Sequence, residues 1–211
     1  MNRLASTIVC LLVMLAASAP GRAADLDALV VALRDGGYVL VFRHGTTDDS
    51  QKDVTPFKFD DMTAQRQLND AGRAMARDLG QALKKLGVPI AEVYTSQLNR
   101  AVETGKLIGD KDVSPIEALT DSGAGSSSAM ANPDGKNARA GRAVRDLVNT
   151  PPKAGLNNLA VTHKTNVADA FGKEFSDIRE GEALVYKTSA SGPAALVARV
   201  QASEWIARAG S

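Results

Sequence analysis

The sequence predicts an α/β domain built on a largely parallel sheet, and three observations carry that prediction. Short apolar runs of strand length recur along the chain, at 38–42, 91–96 and 158–163. Each is followed, directly or after a loop, by a segment of helical period, the alternation that parallel strands with crossover helices require. The 211 residues are 44% apolar and 23% charged, which suits one domain with a sizeable core rather than a disordered chain.

The elements follow in order. Residues 25–34 read as a short amphipathic helix closed at Gly36-Gly37, and 38–42 as a buried strand. Residues 46–67 are polar without a sustained period, a long loop crossing whatever the first strand points at. Residues 68–87 form the clearest helix. Asn69 is its N-cap, and Ala71, Met75, Leu79, Ala82, Leu83 and Leu86 share one face. A strand at 91–96 and a helix at 98–109 come next, with Ala101, Leu107 and Ile108 inward. The Gly/Ser-rich stretch 123–135 reads as a loop or lid. A helix at 138–149, a strand at 158–163 and a helical segment from 164 lead to two final strands, 182–187 and 194–200, joined by a Ser/Gly/Pro turn. A short helix closes the chain.

Residues 1–23 stand apart. One early cation, Arg3, precedes an apolar stretch from Ile8 to Ala17 and then small residues, the pattern of a secretory signal peptide. Cleavage between Ala23 and Ala24 is predicted, leaving 24–211 as the mature domain in the periplasm or medium, with no stable membrane span. The alternative is an uncleaved anchor. Cys10, the sole cysteine, lies in the leader, so the mature chain would have no disulfide, thiolate metal site or cysteine nucleophile. The formal charge of +1 and the lack of a basic stripe point away from nucleic acid. Oligomeric state has no signature in the sequence.

The unusual residues fall at strand ends. His44, one of two histidines, follows the first strand, with Arg43 before it and Gly45 after it; His163 ends the strand at 158–163. Arg100 starts the helix beyond the second strand. Ligands of open α/β sheets bind at the carboxyl ends of the strands, so these residues converge on one edge. Two guanidiniums and two imidazoles suit a tetrahedral dianion such as a phosphoryl group. A cation in a helix's first turn is unfavourable unless an anion sits beside it. Asp48-Asp49 and Asp60-Asp61 lack companion ligands at metal-binding spacing, so no metal and no cofactor is expected.

The pieces "FRHGTT" (42–47), "QLNDAGRAMARDLGQAL" (67–83), "YTSQLNRAVETGKLI" (94–108) and "LAVTHKTNV" (159–167), in this order, resemble the histidine phosphatase (phosphoglycerate mutase-like) superfamily over nearly all of the mature chain. The resemblance implies a three-layer sandwich with helices on both faces of the sheet. It implies a metal-independent phosphatase acting on a small phosphorylated substrate: a phosphomonoester, phosphohistidine or phosphoanhydride. His44 would be the nucleophile, with Arg43, Arg100 and a protonated His163 clamping the phosphoryl oxygens. Asp121 stands where the family places its proton donor, with Glu182 as the competing acid and Asp49 an outsider. The glycine-rich continuation typical of mutases is missing, which argues against a mutase. Lys52, Lys58 and Arg66 could attract an anionic substrate tail. The alternative function is a phosphate-ester-binding protein of the same fold, catalytically weak or inactive.

Overall fold

The computed structural model describes residues 26–120 and 138–211. The expected signal peptide and Asp121 lie outside the described residues. The elements are α1 (Leu26–Arg34), β1 (Tyr38–Arg43), α2 (Asp70–Lys85), β2 (Ile90–Thr95), α3 (Asn99–Gly109), β3 (Ser114–Pro115), α4 (Ala138–Val148), β4 (Asn157–Thr162), α5 (Lys164–Phe171), β5 (Ala183–Lys187), β6 (Ala195–Val200) and α6 (Ala202–Gly210). Apart from the two-residue β3, which was not predicted, they match the predicted order.

The six strands lie in the order β3-β2-β4-β1-β5-β6. β1 is parallel to β4, and β2 is parallel to both β4 and β3. β5 runs antiparallel to β1, and β6 pairs antiparallel with β5. A short connection between consecutive strands can only return as a hairpin, so the Ser/Gly/Pro turn dictates the second of these reversals.

Alternation along β1 divides the core in two. Tyr38, Leu40 and Phe42 pack on one face with Leu29 and Leu33 of α1, Leu79 and Leu83 of α2, Ile108 of α3 and Trp205 of α6. Val39 and Val41 pack on the other with Val144 and Val148 of α4 and Val167 of α5. This is the expected three-layer sandwich. Burial of both sheet faces explains why β1 reads as a continuous apolar run from Tyr38 to Phe42 and β4 carries Leu159-Ala160-Val161 at its centre.

The predicted face of α2 is buried at Leu79, Ala82, Leu83 and Leu86, and one expected position departs from it. Asn69 caps α2 as predicted, its side chain accepting from the Gly72 amide. Ala71, however, is exposed, while Gly72 and Ala76 are buried. The reason is a close approach of two backbones. A Cβ on Gly72 would lie 2.1 Å from the Thr46 carbonyl oxygen, and one on Gly45 would lie 3.1 Å from the Gly72 carbonyl oxygen. The chain just beyond His44 therefore rests on the first turn of α2, where only glycine leaves room.

Candidate active site

The carboxyl ends of β1, β4 and β2 deliver the site. Arg43 closes β1 and His44 follows it, its amide donating to the Thr162 carbonyl of β4 (3.1 Å). His163 is the N-cap residue of α5, one position beyond β4. Arg100 occupies the first turn of α3. The structure brings all four together. The rings of His44 and His163 have centroids 5.1 Å apart, tilted by 59°. His44 and His163 are each 3% exposed and Arg100 2%.

Hydrogen bonds set each side chain. His44 Nδ1 lies 2.8 Å from the Gly45 carbonyl oxygen. That oxygen can only accept, so Nδ1 carries the proton and Nε2 keeps its lone pair. His163 Nε2 is paired with the Ser96 hydroxyl at 2.7 Å, and Ser96 Oγ also accepts from the Leu98 amide. The Gly45 amide donates to Thr104 Oγ1 (3.1 Å), and that hydroxyl donates to the Arg100 carbonyl (2.7 Å). Thr104 thus links the chain after His44 to the turn that carries Arg100. Arg43 donates through one terminal nitrogen to the Ile178 carbonyl and through the other to Glu180, both at 2.9 Å. Its Nε is buried without a hydrogen-bond partner among the described residues. Arg100 donates to Asp53 Oδ1 at 2.9 Å.

The electrostatics are one-sided. Burial, then the fields of Arg100, Arg43 and Arg66, hold the His44 imidazole well below its ordinary value of 6.5 despite the opposing Gly45 hydrogen bond. Burial lowers His163 in the same way, followed by His44 and the same three arginines. Both rings are therefore biased toward the neutral form. Burial also lowers Arg43, with Glu180 opposing it.

Of the expected carboxyls, Glu182 is buried and committed elsewhere. Its Oε1 accepts from Arg199 Nε (2.7 Å) and its Oε2 from the Arg179 amide (2.8 Å). Asp49 is 94% exposed at the side chain and 3.8 Å from Arg66. Of the three loop cations, only Arg66 reaches the histidines electrostatically; Lys52 is exposed and bonds to the Asp49 carbonyl, and Lys58 is exposed. Sequence reasoning missed Ser96, Thr104, Asp53 and Glu180. Ser96 and Thr104 sit inside the quoted "YTSQLNRAVETG", four residues on either side of Arg100, a helical spacing that could have flagged Thr104. Asp53 and Glu180 carry no such signal. Among the described residues no cluster of three or more His, Cys, Asp or Glu could hold a metal ion, and no helix is long and apolar enough to cross a membrane.

No curated protein matches the chain in sequence. Solved structures do match in fold. The protein histidine phosphatase SixA complexed with tungstate superposes with a TM-score of 0.54 at 18% identity, covering 79% of this chain and 97% of that one. A putative alpha-ribazole-5'-P phosphatase from Escherichia coli gives 0.54 at 19% identity, over 78% and 97%. Phosphoserine phosphatase from Entamoeba histolytica, in complex with 3-phosphoglyceric acid, gives 0.53 at 16%, over 77% and 95%. Residues 39–133 match the histidine phosphatase superfamily (branch 1), a span containing Arg43, His44 and Arg100. The sequence match is thus confined to residues 39–133, and the likeness to the solved structures is one of fold.

Proposed function

We propose that the chain is a metal-independent phosphatase that works through a phosphohistidine on His44. The observation that carries this reading is the tautomer of His44. A buried imidazole protonated at Nδ1 holds its Nε2 lone pair beside Arg43, Arg100 and His163. Nε2 attacks phosphorus, the bond from phosphorus to the leaving oxygen breaks, and a carboxyl group protonates that oxygen. Water then attacks the phosphohistidine. The P–N bond breaks, inorganic phosphate leaves, and the proton from water returns to the carboxylate. Arg43 and Arg100 balance the phosphoryl charge, and the bound dianion favours the protonated form of His163. No metal enters the scheme, because fixed cations supply the positive charge.

The substrate is a small phosphorylated compound: a phosphomonoester, phosphohistidine or phosphoanhydride. Asp121 is the proton donor in this reading, because it follows Thr120, whose hydroxyl touches Ser96, the partner of His163. Glu182 is a poor donor, since both its oxygens already accept N–H bonds. Asp121→Asn should slow hydrolysis of an alkyl phosphate strongly and of p-nitrophenyl phosphate weakly; equal effects would remove Asp121 from the role. The phosphatase reading itself is tested by quenching the enzyme during turnover of a labelled phosphate ester. Label that survives base, is lost in acid and maps to the His44 peptide supports it, and label on a serine or aspartate overturns it.

A second reading has its own observation. Among the described residues, Asp53 and Glu180 are each paired to an arginine of the site. A chain without a usable donor would bind phosphate esters and turn them over poorly. Orthovanadate binding without hydrolysis of a chromogenic ester would favour it. Export follows from residues 1–23: protein isolated from its host should begin at Ala24, and intact Met1 in the cytosol would refute this.

A further inference from the structure

The excursion between β1 and α2 is braced from within. Its neck is the antiparallel bridge Thr47–Leu68 and the Asp48 amide bond to the Gln67 carbonyl. Inside it, the Val54 amide donates to the Ala64 carbonyl. Gln65 is 1% exposed. Its Nε2 donates to the Lys58 and Phe59 carbonyls, and its Oε1 accepts from the Asn99 amide, all at 2.9 Å. Asp53 Oδ1 accepts from the Arg66 amide and from the Arg100 guanidinium, both at 2.9 Å. One excursion therefore holds two consecutive residues of the first turn of α3: Gln65 holds the Asn99 backbone and Asp53 the Arg100 side chain.

We propose that Asp53 is a positioning residue: it fixes the plane of the Arg100 guanidinium so that its fork meets the phosphoryl group, and it is neither the proton donor nor an occupant that the substrate displaces. The proposal rests on the reading of His44 and Arg100 as a phosphoryl site. Three observations carry it. Arg100 is buried at a helix N-terminus, where a cation is repelled, so its orientation needs an anion whether or not substrate is bound. A planar fork discriminates only when its plane is held. Asp53 Oδ1 takes both of these bonds from N–H donors, so that oxygen is committed as an acceptor to the brace. Displacement by substrate is disfavoured because the same oxygen also holds the Arg66 amide. Leaving Arg100 would undo the brace as well as the ion pair.

The experiment measures orthovanadate affinity and the steady-state kinetics of p-nitrophenyl phosphate hydrolysis for wild type, Asp53→Ala, Asp53→Asn, Arg100→Ala and the double variant Asp53→Ala/Arg100→Ala. Asp53→Ala should weaken orthovanadate binding about 30-fold, the scale of one charge-assisted hydrogen bond, and lower kcat more than it raises KM. Asp53→Asn keeps an acceptor oxygen and should recover most of both, with an unchanged pH profile. In the Arg100→Ala background, loss of Asp53 should add less than about twofold, because a residue acting through Arg100 has nothing left to position. Tighter orthovanadate binding by Asp53→Ala would make Asp53 a competitor and overturn the proposal. Multiplicative losses in the double variant, or loss of an acid limb in Asp53→Asn, would also overturn it. If Asp53→Ala does not fold, the near-isosteric Asp53→Asn decides, and an Asn variant as damaged as Arg100→Ala rejects the proposal. Wild type that binds no orthovanadate and forms no phosphohistidine would instead overturn the phosphatase reading beneath it. Wild type that binds, with Asp53→Ala unchanged, overturns this inference alone.

Discussion

Two buried charged clusters meet at one backbone hydrogen bond, the Arg43 amide to the Glu182 carbonyl. On the β5 side, Glu182 is 1% exposed and closed off by its own chain. Arg199 donates to it from β6 and donates again to Asp177 at 2.9 Å, while the Arg179 amide takes the other oxygen. On the β1 side, Arg43, Arg100 and Arg66 surround two imidazoles that are forced neutral, and the buried Arg43 Nε has no hydrogen-bond partner among the described residues. A buried charge that finds its counter-charge within the chain serves the fold. The β1-side cations also have carboxylate partners, Glu180 for Arg43 and Asp53 for Arg100, yet their fields still oppose protonation of the two imidazoles beside them, which is the electrostatic pattern of the proposed anion site rather than of a closed ion pair.

The comparison breaks most visibly at its two centres. His44→Ala should reduce phosphate-ester turnover at least ~1,000-fold, since a nucleophile has no substitute in the site. It should lower the unfolding free energy at pH 7 by only about 1–2 kcal/mol, the cost of truncating one buried ring, far less than its effect on turnover. Retained turnover, or a collapse of stability, would erase the distinction from that side. Glu182→Gln should do the reverse. Weakening the Arg199 pair should lower unfolding free energy by about 2 kcal/mol, under the 3–5 of a fully buried pair because Arg199 is partly exposed. Turnover should stay within about twofold. Urea titration and steady-state kinetics on the same preparation read both quantities, and a stable but inactive variant would return Glu182 to the chemistry.

A finer test uses pH. Both histidines have folded values below 6.5, so the unfolded chain takes up protons first as pH falls. Their contribution to stability is present above about pH 6.5 and is lost on the acid side, between that value and their lowered folded values. The slope is at most about 1.4 kcal/mol per pH unit for each ring. Unfolding at pH 7.5 and 5.5 should show this loss in wild type and a smaller one in His44→Ala/His163→Ala. Identical slopes would show that the rings are not held neutral. Saturating phosphate should flatten the wild-type slope, because the dianion compensates the protons that the empty site refuses.

Much of this was legible in the chain. Arg43 and His44 adjoin the apolar run of β1, and His163 adjoins that of β4, so period and position alone carry them to the sheet's carboxyl edge. Arg100 was legible because the helix-start rule makes a cation there anomalous. The contacts that tune these residues were not. Asp53 lies 47 positions from Arg100, Ser96 lies 67 from His163, and Thr104 lies 59 from Gly45. None of these pairs shares an element, and none leaves a spacing to read. Ala71 shows the same boundary on a smaller scale: helical period places it on the buried face of α2, yet in the first turn it is Gly72, approached by the Thr46 backbone, that is buried while Ala71 is exposed.

The sequence by itself determined the elements and their order, because period, capping and turn chemistry act between residues a few positions apart. It determined which side chains end the central strands. Tertiary structure alone decided the neighbours β1 receives in the sheet, the reversal of β5 and the commitment of Glu182 to Arg199. It also decided the lowered proton affinity of both histidines and the contact of Arg100 with the excursion. Those outcomes depend on burial and on fields between distant segments, and neither exists until the sheet has assembled and water has left the site.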